Sequence, residues 1–96
     1  MIKLVEIFLR GDNSLDVLPD WKLREIVINP EFIIKMSPDE NMKCLCKTNM
    51  PDALKGLHPD QEFTRIILGN NMFAIVVGSL GQIEEKIRNN KKLLKG

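Results

Sequence analysis

The sequence has few of the side chains that most often carry out catalysis or stack on nucleic acids. It contains one histidine, two cysteines, one tryptophan, four phenylalanines and no tyrosine. Stacking platforms for single strands are therefore poorly supplied. A closed zinc site needs four ligands, usually cysteine or histidine, and these residues number three in the whole chain. We expect neither a metal nor another cofactor.

Long apolar runs are also missing. The first strand-like segment, residues 2–9, is interrupted by Lys3 and Glu6, which a secretory signal sequence would not tolerate. No window approaches the roughly twenty apolar residues of a membrane span. Cys44 and Cys46 are too close in the sequence to form a comfortable disulfide, which favours a reducing compartment. We therefore expect a cytoplasmic protein that has no membrane partner.

The composition is that of an ordinary globular domain. The chain has 96 residues, 44% of them hydrophobic and 28% charged, with a net charge of +1. This length predicts a single small α+β domain over residues 1–96. Short β-branched runs predict strands at residues 2–9, 25–28, 31–36, 63–68 and 72–77. We expect a bent antiparallel sheet, or meander, of about five strands.

One further segment alternates like a strand. Met42, Cys44, Cys46 and Thr48 fall on one face of an extended chain, with lysines on the other. The prediction is a strand over residues 42–48, in which both cysteines pack as small hydrophobes.

The last third of the chain carries two local signals. Gly69-Asn70-Asn71 separates two apolar runs and predicts the turn of a β-hairpin. Ser79 followed by Gln82 fits a capping box, in which each side chain satisfies a free backbone donor of the other residue. Leu80, Ile83 and Ile87 share one face of the helix that follows. These signals predict a C-terminal α-helix.

Two connections remain. Leu15 to Leu23 has no clean period and predicts an irregular connection or a single helical turn. Residues 49–61 contain two prolines and a glycine and predict a long loop or insertion, with one helical turn at Pro51 to Leu54. Such loops often bind partners. The candidate partner-binding residues are Trp21, Met50, Leu54, Lys55, Leu57 and His58. The alternative is that the loop covers the sheet and its leucines belong to the core.

Candidate chemistry is sparse. Cys44 or Cys46 paired with His58 would make a nucleophile and its base, but no third orienting group accompanies them. Gly78-Ser79 lies between a predicted strand and helix, where anions bind, but a turn glycine and a helix cap are the favoured explanation. The acid pairs at 39–40 and 84–85 are expected at the surface. We predict that the protein is not an enzyme.

The C-terminal helix is basic. Its cations are Lys86, Arg88, Lys91, Lys92 and Lys95. A basic helix can bind phosphate backbones with strong salt dependence, so a nucleic-acid-binding regulator is the alternative function. Glu84 and Glu85 dilute this charge, which favours a solvated face.

A resemblance covers residues 26–36 and 62–87. An Asn-Pro-acid step into a strand, a threonine-bearing hairpin with an Asn/Gly turn and a Ser-led helix resemble the flagellar FlbD family and similar short phage and prophage open reading frames. The resemblance implies a small non-enzymatic accessory protein, with no catalytic residues to carry over. We expect a phage-type protein that binds a host enzyme or defence complex and modulates or inhibits it. The open edges of such a sheet also make a homo-oligomer plausible.

Overall fold

The protein is described by a computed structural model, which covers the backbone of residues 1–10, 20–48, 50, 52–58 and 60–95, and the side chains of these except residues 10, 20, 53 and 91–95. Its elements are β1 (Ile2–Arg10), β2 (Asp20–Ile28), β3 (Ile33–Pro38), α1 (Glu40–Thr48), β4 (Phe63–Leu68), β5 (Phe73–Val77) and α2 (Leu80–Lys95). Short 3-10 turns lie at Pro30–Phe32, Asp52–Leu54 and Gly69–Asn71. The predicted α+β class, with an antiparallel sheet and a C-terminal helix, is confirmed.

The five described strands form one antiparallel sheet in the order β2-β1-β5-β4-β3. Strands β2 and β3 therefore follow each other in the chain but lie at opposite edges. In a flat sheet these edges would be about 19 Å apart, four strand spacings. The chain from Ile28 to Ile33 spans at most about 18 Å when fully extended, and a 3-10 turn shortens it. The sheet must therefore curl, and it is strongly bent as predicted.

The concave face of this curl holds one hydrophobic cluster. Ile28 and Ile33, from the two edge strands, both contribute to it, which fixes the direction of the bend. Helix α2 covers the cluster through Ile83, which is 1% exposed, and through Ile87. The other buried members are Ile2, Leu4, Ile66, Ala74 and Val76.

The convex face holds a second cluster, because side chains alternate along each strand and both faces are apolar. Its buried members are Ile7, Met42, Cys46, Leu54 and Phe63. Helix α1 and the segment at residues 50–57 supply the covering layer. The fold thus has a helix on each face of one sheet, and strands β4 and β5 contribute to both clusters.

One charged pair lies on the concave face beyond the cover of α2. Arg24 Nε donates to Glu6 Oε1 at 2.6 Å across the β1–β2 ladder, and the Glu6 side chain is only 12% exposed. The Arg24 guanidinium also lies 4.1 Å from the centroid of the Phe8 ring. A nearly buried carboxylate is tolerated here because its cation is held against it.

Two predictions of secondary structure are wrong, and Asp39, expected at the surface, is buried at 8% exposure. Residues 42–48 belong to helix α1 rather than to a strand, so Met42 and Cys46 share its buried face while Cys44 is exposed. Asp20 to Leu23, expected in an irregular connection, form the first half of β2 and pair with β1. Residues 15–19 of that expected connection lie outside the described residues.

The local signals of the last third are confirmed. Asn70 and Asn71 adopt positive φ angles of 68° and 60° in the hairpin turn, a conformation that asparagine tolerates well. Ser79 N donates to Gln82 Oε1 at 2.8 Å, and Gln82 N donates to Ser79 Oγ at 3.2 Å, which completes the capping box. None of the described helices is long and apolar enough to cross a membrane.

Candidate functional site

The segment at residues 50–58 covers the convex face of the sheet. Leu54 is fully buried, at 0% exposure, while Met50 and Leu57 are half-buried and pack against the same cluster. Of the residues expected to bind a partner, only Lys55 and His58 present exposed side chains in this segment. Leu54 therefore belongs to the core, as in the alternative stated for this loop, whereas Met50 and Leu57 keep part of their surface exposed.

The exposed Lys55 and His58 side chains make hydrogen bonds to residues close to them in the chain. Lys55 Nζ lies 2.7 Å from Asp52 Oδ1, and this hydrogen bond lowers the pKa of Asp52 and raises the pKa of Lys55. His58 Nδ1 accepts a hydrogen bond from Asp60 N at 3.0 Å. The His58 ring therefore folds back on its own loop.

The two cysteines are far from equivalent. Both are free thiols, but Cys44 is exposed and Cys46 lies on the buried face of α1. Burial raises the pKa of the Cys46 thiol, which keeps it neutral and poorly nucleophilic. Within the described residues, no group of three His, Cys, Asp or Glu side chains is arranged to hold a metal ion.

The basic helix presents mixed charge. Lys86 and Arg88 are exposed, and so are Glu84 and Glu85 on the preceding turn. The side chains of Lys91, Lys92 and Lys95 lie outside the described part of α2. The backbone N–H groups of Ser79 and Gln82 are used by the capping box, so these two donors are not available to an anion at the start of α2.

Two shallow depressions flank the sheet. The first, of about 240 Å³, is lined by Pro38, Asp39, Glu40, Asn41 and Arg65. The second, of about 250 Å³, is lined by His58, Asp60, Gln61, Glu62, Ser79 and Gln82. Neither of these two depressions is lined by a cysteine, and the one that contains His58 does not include Cys44 or Cys46.

A different surface lies uncovered on the convex face. Leu9 of β1 pairs with Trp21 of β2, Phe73 of β5 pairs with Ile67 of β4, and Ile67 pairs with Lys35 of β3. The pairing of β1 with β5 ends at Ile7 and Ile75. Leu9, two residues after Ile7, and Phe73, two residues before Ile75, are the next residues on the same face beyond that pair. We call the row Leu9, Trp21, Ile67 and Phe73, with its cations Arg65 and Lys35, the convex strip.

The strip is apolar and accessible at its centre. Leu9 is 50% exposed and Phe73 53% exposed, while Trp21 and Ile67 are half-buried. The Arg65 guanidinium lies 4.3 Å from the centroid of the Phe73 ring. The strip crosses all five strands beyond the covering layer of α1 and the 50–57 segment.

Sequence reasoning found Trp21 but missed the rest of the strip. Its members come from five strands, and only the strand register places them in one row. The available signal was the apolar residue at each of positions 9, 67 and 73, which reads equally well as core.

Comparison with known proteins gave no relative, since no family model, no curated protein and no solved structure matches the chain. The function is therefore inferred from the fold and from the convex strip.

Proposed function

We propose that this chain is a small non-enzymatic module that binds another protein through the convex strip and thereby modulates it. The observation that carries the proposal is the exposure of Leu9 and Phe73 in a row that continues into Trp21 and Ile67. Scattered apolar side chains need no explanation, whereas contiguous apolar surface on a small domain typically marks a binding site.

The chemistry of the strip supports binding by a protein. Tryptophan and arginine are enriched among the residues that dominate interface energetics, and aromatic residues are common in interface centres. Trp21 packs against the convex cluster, Ile67 is half-buried, and Arg65 lies on the Phe73 ring. Little side-chain entropy would then be lost on binding, which favours affinity.

A capture experiment with matched variants tests this function. The tagged protein is expressed in the cells that naturally make it, and co-purifying material is treated with nuclease before analysis. We expect a stoichiometric protein with the wild type and a loss of about tenfold or more in its recovery with Leu9→Ser or Phe73→Ser.

Val27→Ser is the control, because Val27 is 59% exposed on the same sheet face but lies outside the strip. It should retain the captured protein. Recovery of nucleic acid that nuclease or high salt removes would contradict the proposal and favour binding by α2. A partner retained equally by all variants would show that the strip is not the binding surface.

A further inference from the structure

The convex strip carries two cations and no carboxylate. Lys35 pairs across the ladder with Ile67, and Arg65 pairs with Ile75, so both side chains belong to the convex face. Throughout the described side chains, no carboxylate lies within ion-pair distance of either. The strip is therefore an apolar row with two cations at its β3 and β4 end that make no ion pair with a described side chain, although Arg65 also lines the depression that contains Asp39 and Glu40.

Three other cations of the strands and α1 have an acidic partner. Arg24 binds Glu6 at 2.6 Å, Lys3 lies 3.6 Å from Glu25, and Lys43 lies 3.3 Å from Glu62. Among the described side chains, Lys47 of α1 also has no carboxylate within ion-pair distance, but Lys35 and Arg65 are the two such cations that lie on the convex strip. Charge complementarity across an interface favours a partner that brings the missing carboxylates.

From this we infer the chemistry of the partner, an inference that rests on the proposed function. The convex strip accepts a segment of another protein in which aliphatic or aromatic side chains lie beside carboxylates. Its apolar side chains contact Leu9, Ile67 and Phe73, and its carboxylates bind Lys35 and the edge of the Arg65 guanidinium left free by the Phe73 ring.

A second copy of this chain fits the strip poorly. Two strips facing each other, in either two-fold orientation, would bring four cations and no strip carboxylate into one interface. Desolvating several like charges without partners is costly. An anionic lipid surface also offers negative charge, but stable attachment typically uses a cluster of four or more basic residues, and the strip has two.

Selection from a library of short random peptides, displayed and panned against the immobilised full chain, tests the inference. We expect the selected peptides to combine acidic with aromatic or aliphatic residues. A synthetic version of the best peptide should bind Phe73→Ser and Lys35→Glu about tenfold or more weakly than wild type, and bind Val27→Ser like wild type.

A charge swap separates recognition from a folding defect. A second peptide in which the acidic residues are replaced by lysine should bind wild type poorly and bind Lys35→Glu/Arg65→Glu better than the original peptide does. Circular dichroism of each variant establishes that the sheet is intact. Rescue by the swapped peptide requires a direct contact between opposite charges, which misfolding cannot produce.

Three outcomes would overturn the inference. Selected peptides without acidic residues, or ones unaffected by Phe73→Ser and Lys35→Glu, would remove its basis. Sedimentation of the wild type, but not of Phe73→Ser, with mixed phosphatidylcholine and phosphatidylserine vesicles would assign the strip to a membrane. Light scattering that shows a dimer abolished by Phe73→Ser would assign it to self-association.

The proposed function is separable from this inference. If the capture experiment recovers a protein that depends on Phe73, while the peptides lack acidic residues, the chain binds protein and only the inferred partner chemistry fails. If no captured protein depends on the strip and no peptide is selected, both fail together.

Discussion

Asp39 joins the start of helix α1 to the sheet. Its Oδ1 accepts a hydrogen bond from Met42 N at 2.9 Å, and its own backbone N–H donates to Phe63 O at 2.9 Å. The residue is 8% exposed, so water cannot easily replace either bond. From the sequence, Asp39 was predicted to lie at the surface. It can be recognised as a helix cap only when residues 40–48 are known to form a helix.

Removing this cap should destabilise the protein. Asp39→Ala leaves a helix N–H without its acceptor, and we expect the free energy of unfolding to fall by about 1 to 2 kcal/mol. Asp39→Asn retains an acceptor and should cost less. Urea unfolding measures both, with Glu40→Ala as the control because Glu40 is exposed and makes no cap bond. Equal effects at positions 39 and 40 would contradict the role of Asp39.

At the scale of elements, local and distant signals behaved differently. The hairpin turn and the start of α2 were predicted correctly because Asn70, Asn71, Ser79 and Gln82 encode their own backbone geometry. The first half of β2 was missed because its structure comes from pairing with β1, as in Trp21 with Leu9. Long-range pairing leaves little trace in a short stretch of sequence.

Helix α1 was missed for a different reason. Met42 and Cys46 are four residues apart, a spacing that fits both an alternating strand and one face of a helix. Leu45, half-buried in the convex cluster, fits only the helix beside them. A segment of nine residues is too short for periodicity to decide, and here the Asp39 cap and the cover over Phe63 favour the helix.

Thiol labelling distinguishes the two structures of this segment. In helix α1, Cys44 is exposed while Cys46 is buried with a raised pKa, so only Cys44 should react quickly with a thiol reagent near neutral pH. Raising the pH should speed the reaction of Cys46 only at higher values than for an ordinary thiol. Denaturant should make both react, and Cys44→Ser should leave only the slow reaction. Equal native rates for the two thiols would favour the alternating strand.

At the scale of the molecule, one sheet supports two cores and one uncovered row. The sheet bends because the connection from Ile28 to Ile33 is short. Helix α1 is also short, so it covers only part of the convex face. The convex strip is what this cover leaves exposed. Its residues were visible in the sequence as apolar positions, but the strand order β2-β1-β5-β4-β3 is what makes them neighbours. A binding surface of this kind has no linear motif to recognise.

The shared strands should make the two cores unfold together. Ile7 is buried in the convex cluster at 2% exposure, and Ile83 is buried in the concave cluster at 1% exposure. Ile7→Val and Ile83→Val each remove one methylene and should each cost about 1 kcal/mol. Trp21 is the only tryptophan and packs on the convex cluster, so its fluorescence reports that side alone.

If the two clusters unfold in one cooperative transition, Ile83→Val should lower the midpoint of urea unfolding equally whether unfolding is followed by Trp21 fluorescence or by far-UV circular dichroism. The reason is that β4 and β5 pass through both clusters, and losing α2 from the concave face frees the same backbone that holds Phe63 against α1. Ile7→Val, on the fluorescent side, gives the matched comparison. If the fluorescence midpoint responds to Ile7→Val but not to Ile83→Val, the convex side of the sheet unfolds independently of the concave side. The convex strip would then belong to a part of the protein that unfolds on its own.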